Sequence, residues 1–361
     1  MLNNKRVVLI RLSSIGDVLH CTPVAKALKT ACPACHLTWV VGEGPADVLV
    51  ANPYIDELYV WPRERWERNL QSGRLGEARR LWRHLGEDLG CRPFDVALDV
   101  HGLFLSGLVT SATGAPRRIG LGGTREFNWL FMTEQAPKLA DDVHVIQQYL
   151  SILRPLGIRT ADYNMTLCLT REAVAFADRF LAAHGVEPDE VLVAINPVTT
   201  WPAKNWPPAS FAAVAAALGV DCRILLTGGP RDKEVTAYIA QQAGTACIDA
   251  AGSTTLLELA ALLARCRVVL TGDTGPLHMA VALGVPTVSI FGPTDPRKYG
   301  PLTPGHVILQ GEADCAPCHK KVCRHQDIRC LRSVTPDAAI AAVRQQLAAY
   351  SQLQPLPSEK W

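Results

Sequence analysis

The chain has 361 residues, of which 48% are hydrophobic and 19% charged, and its formal net charge is +2. This length is sufficient for two domains with substantial cores, and the composition is typical of a soluble α/β protein. The small net charge gives no global electrostatic support for nucleic-acid binding. No secretory signal is present and no apolar run approaches the roughly 20 residues that span a bilayer, so we expect a cytoplasmic protein.

The first predicted elements are a buried strand at residues 7–10 and a helix that begins near residue 15. Ser14, Gly16 and Asp17 lie at the start of that helix, where hydroxyls cap backbone amides and carboxylates interact favourably with the helix dipole. Asp17 therefore has two interpretations. It is either a first-turn carboxylate without chemistry or a functional group at the mouth of a parallel sheet, where α/β enzymes place their ligands.

An arginine-rich stretch follows between Arg63 and Arg92, with eight arginines against five acidic residues. Trp61, Trp66 and Trp82 lie in or beside it. The stretch is interpreted either as a solvated helix with internal ion pairs or as a surface for anionic lipid headgroups.

Apolar strand patterns alternate with helical patterns along both halves of the chain, which is typical of parallel sheets covered by helices on both faces. After the first strand, these patterns lie at Leu37–Val41, Val96–Val100, Val191–Asn196, Arg223–Thr227, Val268–Thr271 and Thr287–Phe291. A polar segment near residue 160 marks a boundary. We therefore predict an N-terminal domain at residues 1–168, a C-terminal domain at 169–335, and a C-terminal helix with a loose tail at 336–361.

Two loops of the second half follow predicted strands and carry charged side chains. The loop at residues 197–207 includes Thr199 and Lys204, and a lysine there suits a diphosphate, the alternative being an ordinary surface lysine. A glycine loop at residues 227–230 is followed by Asp232 and Glu234, between which the sequence does not choose as a ligand for a ribose.

The most informative stretch is residues 272–284, in which a buried strand, a glycine turn and a helix start follow one another. The exposed amides of such a helix start suit a phosphate or diphosphate, so Asp273, Thr274 and Gly275 are candidates for binding it. His278, four residues after Thr274, lies close to it on the helix and either contacts a phosphate or serves packing.

Four cysteines cluster near the C-terminus, at Cys315, Cys318, Cys323 and Cys330. Four thiolates within sixteen residues predict either one structural zinc or iron ion or, alternatively, free thiols in a reducing compartment.

The residues Arg11–Pro23, Lys204–Pro207, Asp273–Gly275 with His278, and Phe291–Pro296 match one family in its own order. Weaker matches lie at Arg117–Gly120 and His144–Gly157. In these residues the chain resembles the ADP-heptose:lipopolysaccharide heptosyltransferases, from about residue 5 to about residue 300. The resemblance implies two facing Rossmann-like domains (GT-B type) with an interdomain cleft, and a C-terminal helix that returns to the first domain.

The resemblance further implies inverting transfer of a heptose from ADP-heptose to the inner core of lipopolysaccharide. The partners would be that donor and a phosphorylated lipid-linked core oligosaccharide. The enzyme would contact the cytoplasmic face of the inner membrane peripherally. Catalysis would require no cofactor. Asp17 would be the general base. The donor would be held by Ser14, Gly16, Thr199, Lys204, Asp232 or Glu234, Asp273, Thr274, Gly275 and His278.

The acceptor side departs from the family pattern, which usually has Gln and Lys where this chain has His101 and Leu105. His101, Arg117, Arg118 and Arg125 are the predicted acceptor contacts, the alternative for the arginines being surface charge. Two other functions therefore stay open: a heptosyltransferase that acts on a protein, and a metal-stabilised nucleotide-binding module without catalysis.

Overall fold

The computed structural model describes residues 2–187 and 189–352, and the chain forms two compact units, residues 1–168 and 169–361. The predicted loose tail, residues 353–361, lies outside the described residues. Each unit contains a six-stranded sheet in which all neighbouring strands are parallel, so the predicted α/β fold class is confirmed.

The sheet of the first unit has the strand order β3-β2-β1-β4-β5-β6. Its elements are β1 (Arg6–Ile10), α1 (Ile15–Ala31), β2 (His36–Gly42), β3 (Glu57–Trp61), α2 (Arg63–Gln71), α3 (Leu75–Gly90), β4 (Val96–Asp99), α4 (Phe104–Ala112), β5 (Arg117–Gly120), β6 (Glu134–Gln135) and α5 (Val145–Leu150), with short 3-10 helices at Ala46–Leu49, Asn128–Phe131 and Ser151–Leu156. The strand order reverses between β1 and β4. In open parallel sheets, ligands bind at the carboxyl ends of the strands at such a reversal.

The sheet of the second unit has the order β12-β11-β10-β7-β8-β9 and reverses between β10 and β7. Its elements are α6 (Arg171–Ala183), β7 (Leu192–Asn196), a 3-10 turn (Pro202–Lys204), α7 (Pro208–Leu218), β8 (Arg223–Leu226), α8 (Lys233–Ala243), β9 (Cys247–Asp249), α9 (Leu256–Ala264), β10 (Val268–Gly272), α10 (Gly275–Ala282), β11 (Thr287–Phe291), α11 (Pro296–Tyr299), β12 (His306–Gln310), α12 (Arg329–Arg332) and α13 (Pro336–Gln352). Both units thus place a reversal where the sequence predicts functional loops.

The arginine-rich stretch forms α2 and α3, and its tryptophans face inward. The rings of Trp61, Trp66 and Trp82 lie 5.5–5.9 Å from one another and pack against the core of the first sheet, beside Ile10 and Val40. Packed aromatic rings bury a large apolar area, so the tryptophans stabilise the fold. Six of the eight arginines are exposed, whereas Arg63 and Arg92 are half-buried.

Helix α13 belongs to the second unit. It packs against α7 and strands β10, β11 and β12, and Ala339, Ala342 and Val343 lie in the core of that unit. These contacts place its apolar face on the second sheet, and the expectation that the helix returns to the first domain stays a prediction.

Within residues 2–187 and 189–352, no helix combines the length and the hydropathy that a bilayer crossing requires.

Candidate functional sites

Asp17 lies in the first turn of α1, directly after the loop that follows β1. Its Oδ2 accepts hydrogen bonds from Arg11 Nη2 at 2.8 Å and from the hydroxyl and the backbone N–H of Ser14 at 3.0 and 3.3 Å. Its Oδ1 accepts one from the Tyr149 hydroxyl on α5 at 2.8 Å. One third of the side chain (33%) stays exposed, so the carboxylate is fixed in place and still reaches solvent.

These contacts keep Asp17 ionised. Burial alone would raise the pKa of Asp17, but the charge of Arg11 and the hydrogen bonds from Tyr149 and Ser14 hold it below its usual range. Arg11 is itself buried, donates to the backbone oxygen of Val100 at 3.1 Å and lies 4.9 Å from the centre of the Tyr149 ring. Burial raises the pKa of Tyr149 well above its usual value, so this hydroxyl stays protonated and donates.

The loop after β4 is held by a buried carboxylate. Asp99 accepts hydrogen bonds from the backbone N–H groups of His101 and Gly102 at 2.9 and 3.0 Å, from the Ser106 hydroxyl at 2.8 Å and from the Asn128 amide at 2.7 Å. Asp99 thereby fixes the backbone of His101, whose Nδ1 accepts a hydrogen bond from the Leu12 N–H at 3.4 Å in the loop that precedes α1.

His101 is neutral in this environment. Burial, with the nearby charges of Arg11 and Arg63, lowers the pKa of His101 to about 3. Arg63 Nη1 donates to the Ser13 hydroxyl, and its guanidinium pairs with Glu67 at 2.8 Å. The reversal of the first sheet therefore gathers one ionised carboxylate, two guanidiniums and a neutral imidazole.

In the second unit, Asp273 directly follows β10 and is buried. Its Oδ2 accepts hydrogen bonds from Lys204 Nζ at 2.6 Å and from the Thr294 hydroxyl at 2.8 Å, and its Oδ1 lies 3.6 Å from His278 Nε2. Burial alone would raise the pKa of Asp273, but the hydrogen bond from His278 and the charge of Lys204 hold it below its usual range. A fixed cation therefore stands at the start of α10.

The loop after β7 brings Lys204 to this position. The Thr199 backbone N–H donates to Asn205 Oδ1 at 2.8 Å, and the single proton of the Thr199 hydroxyl is within reach of the backbone oxygen of Trp201 and of Asn205 Oδ1, both at 2.9 Å, which closes the loop on itself. Gly272 permits the close approach, because a Cβ there would lie 3.1 Å from Thr199 Cγ2 and 3.3 Å from the backbone oxygen of Lys204. Thr274 precedes α10, whose first residue is Gly275.

The remaining predicted donor contacts lie in different places. Ser14 and Gly16 belong to the start of α1 in the first unit, beside Asp17. Asp232 precedes α8 and its Oδ2 accepts a hydrogen bond from the Gly229 N–H at 2.7 Å, whereas Glu234 is exposed in the first turn of α8. The structure leaves the ribose assignment open between these two acids.

Two of the three predicted acceptor arginines are used by contacts within their own unit. Arg117 pairs with Glu134 at 2.9 Å, and Arg118 donates to the backbone oxygens of Ala115 and Phe131, each at 2.8 Å. Arg125 is exposed in the loop after β5. Of the three, Arg125 is the guanidinium available to a ligand.

Cys315, Cys318 and Cys323 lie between β12 and α12 and are half-buried, whereas Cys330 lies in α12 and is buried. Burial alone would raise the pKa of Cys323, but backbone N–H groups of residues 325–328 lower it. In the part of the chain that the structure describes, no group of three or more His, Cys, Asp or Glu side chains is placed to hold a metal ion. The structure therefore gives the predicted four-thiolate site no support.

Comparison with known proteins decides the family. A sequence model of glycosyltransferase family 9 (heptosyltransferase) matches residues 80–329. Lipopolysaccharide heptosyltransferase 1 of Pseudomonas aeruginosa is 31% identical over 332 residues, which cover 89% of this chain and 88% of that protein. The chain belongs to glycosyltransferase family 9. The predicted resemblance and the predicted enzyme class, a glycosyltransferase of heptosyltransferase type, are thus confirmed.

Solved structures of this family share the fold. A family 9 glycosyl transferase from Veillonella parvula superposes with a TM-score of 0.81 at 27% identity, covering 96% of this chain and 98% of the other. The E. coli heptosyltransferase WaaC with ADP-2-deoxy-2-fluoro heptose gives a TM-score of 0.71 at 23% identity, covering 94% and 99%.

Sequence reasoning missed three side chains that hold the candidate groups of this family 9 enzyme. Tyr149 contacts Asp17 across 132 residues of chain, and nothing local marks that contact. Arg11 and Thr294 lie inside the stretches that carry the family resemblance, but their types alone did not show that they bind Asp17 and Asp273.

Proposed function

We propose that this family 9 enzyme transfers a heptose from ADP-heptose to the inner core of lipopolysaccharide and inverts the anomeric centre. The observation that carries the proposal is the carboxylate of Asp17, ionised, held from both oxygens and still exposed at the reversal of the first sheet. The donor is supported by the ADP-linked heptose analogue bound to the E. coli relative and by the cation at the start of α10.

The second unit would bind the donor. Breaking the sugar–phosphate bond places negative charge on the departing ADP. Lys204 and the backbone N–H groups at the start of α10, after Thr274, would stabilise that charge, because helix N-termini attract anions. Asp273 would hold the Lys204 ammonium in position, and the transfer would require no cofactor.

Asp17 would act as the general base on the acceptor. Among the contacts that the structure describes, Oδ2 carries the ion pair with Arg11 and the hydrogen bonds from Ser14, whereas Oδ1 carries the hydrogen bond from Tyr149, so the incoming proton is assigned to Oδ1. As the acceptor hydroxyl attacks the anomeric carbon from the face opposite ADP, its proton passes to Oδ1. A carboxylate with a low pKa suffices, because the hydroxyl becomes acidic only as the new bond forms.

Neutral and charged side chains of the first unit would bind the acceptor. His101, neutral beside Arg11 and Arg63, accepts from the Leu12 N–H at Nδ1, so its Nε2–H can donate to a sugar oxygen without adding charge. Arg125, exposed after β5, suits a phosphate of the core oligosaccharide.

We further propose that the outer face of α2 and α3 contacts anionic lipid at the cytoplasmic face of the inner membrane. The exposed arginines on and between these helices are Arg65, Arg68, Arg74, Arg79, Arg80 and Arg83. Each basic side chain near an anionic surface adds about 1 kcal/mol of attraction.

Vesicle sedimentation tests this contact. Wild type should bind phosphatidylglycerol vesicles and not phosphatidylcholine vesicles, and a double variant with Arg79→Glu and Arg80→Glu should bind more weakly. A double variant of two exposed arginines on α6, Arg171→Glu and Arg179→Glu, changes the net charge equally and should bind as wild type. Equal losses in both double variants would refute a defined arginine face.

Product analysis tests the proposed reaction. The enzyme is incubated with ADP-heptose and a panel of truncated core acceptors, and the products are analysed by mass spectrometry and NMR. We expect one added heptose with inverted anomeric configuration. Retention of configuration, or no product with any core acceptor, would contradict the proposal, and transfer to a protein instead would assign the alternative acceptor.

A further inference from the structure

The two ends of the cysteine-rich segment, residues 311–330, lie next to each other beside the second sheet. Gly311 N–H donates to the backbone oxygen of Phe291 at 2.7 Å. At the other end, Cys330 and Leu331 are buried in the core. A Cβ at Gly311 would lie 1.6 Å from the backbone oxygen of Cys330, and one at Gly292 would lie 2.7 Å from Leu331 Cδ2. Close backbone packing therefore fixes both ends of the segment beside the carboxyl end of β11.

Between its ends, the cysteine-rich segment is hydrogen-bonded to both loops that surround Asp273. The Ala203 N–H, next to Lys204, donates to the backbone oxygen of Lys321 at 3.1 Å. The His319 N–H donates to the backbone oxygen of Pro293, next to Thr294, at 2.7 Å. The segment thus touches the loop that supplies Lys204 and the loop that supplies Thr294.

The segment also brings a second ammonium to the indole that Lys204 contacts. Lys204 Nζ lies 4.4 Å from the centre of the Trp201 ring, and Lys321 Nζ lies 5.8 Å from it. Both distances are within the range of cation–π attraction. Lys321 is exposed, and among the described residues no carboxylate forms an ion pair with it.

Asp273 balances the charge of Lys204, so a second cation beside Lys204 would strengthen the attraction for a diphosphate. Its ammonium lies 2.6 Å from Asp273 Oδ2, and the two side chains are only 14% and 7% exposed. Their formal charges cancel, so this pair alone offers little net attraction to a diphosphate, which carries at least two negative charges. An additional unpaired cation next to Lys204 supplies that attraction.

We propose that the cysteine-rich segment completes the phosphate-binding part of the donor site and that Lys321 binds the donor diphosphate. The inference rests on the proposed function only in that the second unit binds an ADP-linked sugar. In this proposal the cysteine-rich segment acts through its backbone hydrogen bonds to the two loops and through the ammonium of Lys321.

Calorimetric titration with ADP and with adenosine tests this proposal on four proteins: wild type and the variants Lys321→Gln, Lys321→Arg and Lys320→Gln. Loss of a charge-assisted hydrogen bond predicts ADP affinity about tenfold or more lower for Lys321→Gln, with adenosine affinity unchanged. Lys321→Arg keeps the charge and should recover most of the ADP affinity. Lys320→Gln removes an exposed neighbouring charge and should bind as wild type.

Two results would overturn the proposal: ADP affinity of Lys321→Gln equal to that of wild type, or an equal loss for Lys320→Gln, which would reveal a general charge effect. Equal weakening of adenosine and ADP would also overturn it, because the phosphates would then not be the groups contacted. Failure of the proposed function would look different, since wild type itself would then not bind ADP.

Discussion

The candidate base is positioned by side chains from two distant parts of the first unit. Arg11 and Ser14 hold Oδ2 of Asp17, and Tyr149, on α5, holds Oδ1. A single carboxylate after a strand is common in sequences and carries little information, whereas a carboxylate fixed from both oxygens and partly exposed is arranged for chemistry.

Replacing Tyr149 by Phe tests this arrangement. The variant removes the hydrogen bond to Oδ1 but keeps the ring against Arg11. Since hydrogen bonds to charged groups contribute about 1.5–3 kcal/mol, we expect the kcat for transfer to fall about tenfold or more while ADP affinity stays unchanged. The control Tyr59→Phe removes a surface hydrogen bond to Asp88 and should leave kcat unaltered.

A double-mutant cycle separates positioning from simple structural damage. If Tyr149 acts through Asp17, Tyr149→Phe should have no further effect in an Asp17→Asn background. If Tyr149→Phe lowered kcat by the same factor in both backgrounds, Tyr149 would act elsewhere than through Asp17.

The pH dependence follows from the environments of Asp17 and His101. The pKa of Asp17 lies below its usual value, so the base stays ionised as pH falls from 8 to 5, and His101, with a pKa of about 3, stays neutral. We expect wild type and His101→Gln to show the same profile of kcat between pH 5 and 8. If kcat of the wild type changed with pH near 6.5 and that change were absent in His101→Gln, this assignment would be contradicted.

At the scale of elements, the sequence predicted the strands that are covered on both faces and missed those at the edges. The central strands β1, β4, β7 and β10 are continuous apolar runs, because neighbours and helices cover both faces of a parallel sheet. The strands without a predicted pattern include all four edge strands, β3, β6, β9 and β12, which are largely half-exposed and carry polar residues.

The loops that carry Asp17 and Lys204 were predicted as candidate sites because the end of a strand and the type of a residue can be read from the local sequence. The contacts of Tyr149 with Asp17 and of Lys321 with the Lys204 loop depend on how helices and segments fold back, which no short pattern records. The cysteine spacing predicted either a metal site or free thiols, and the structure shows that packing at Gly311 and Leu331 holds the ends of the segment.

Replacing Gly311 by Ala tests that packing. Since the new Cβ would meet backbone rather than a movable side chain, we expect destabilisation on the order of several kcal/mol and a clear fall in the thermal midpoint. Gly86→Ala, inside α3 with open space around its Cβ, should leave the midpoint equal or raise it, because Ala favours a helix. A Gly311→Ala variant as stable as wild type would refute the tight closure of the segment.

For the whole molecule, the two units repeat one architecture, and each sheet reverses its strand order where charged loops gather. The alternation of strands and helices predicted this plan, and the match to glycosyltransferase family 9 agrees with it. The C-terminal helix was predicted as an element, and the structure shows its apolar face on the second sheet, a contact that an apolar helical pattern alone does not identify.

The most direct test of the central claim is the Asp17→Asn variant, assayed for heptose transfer and, separately, for ADP-heptose binding. Since a general base contributes about 10²- to 10⁴-fold, the account predicts a fall in kcat of that size with donor affinity close to wild type. Transfer at a near-normal rate by this variant would contradict the account, because the carboxylate would then not accept the proton.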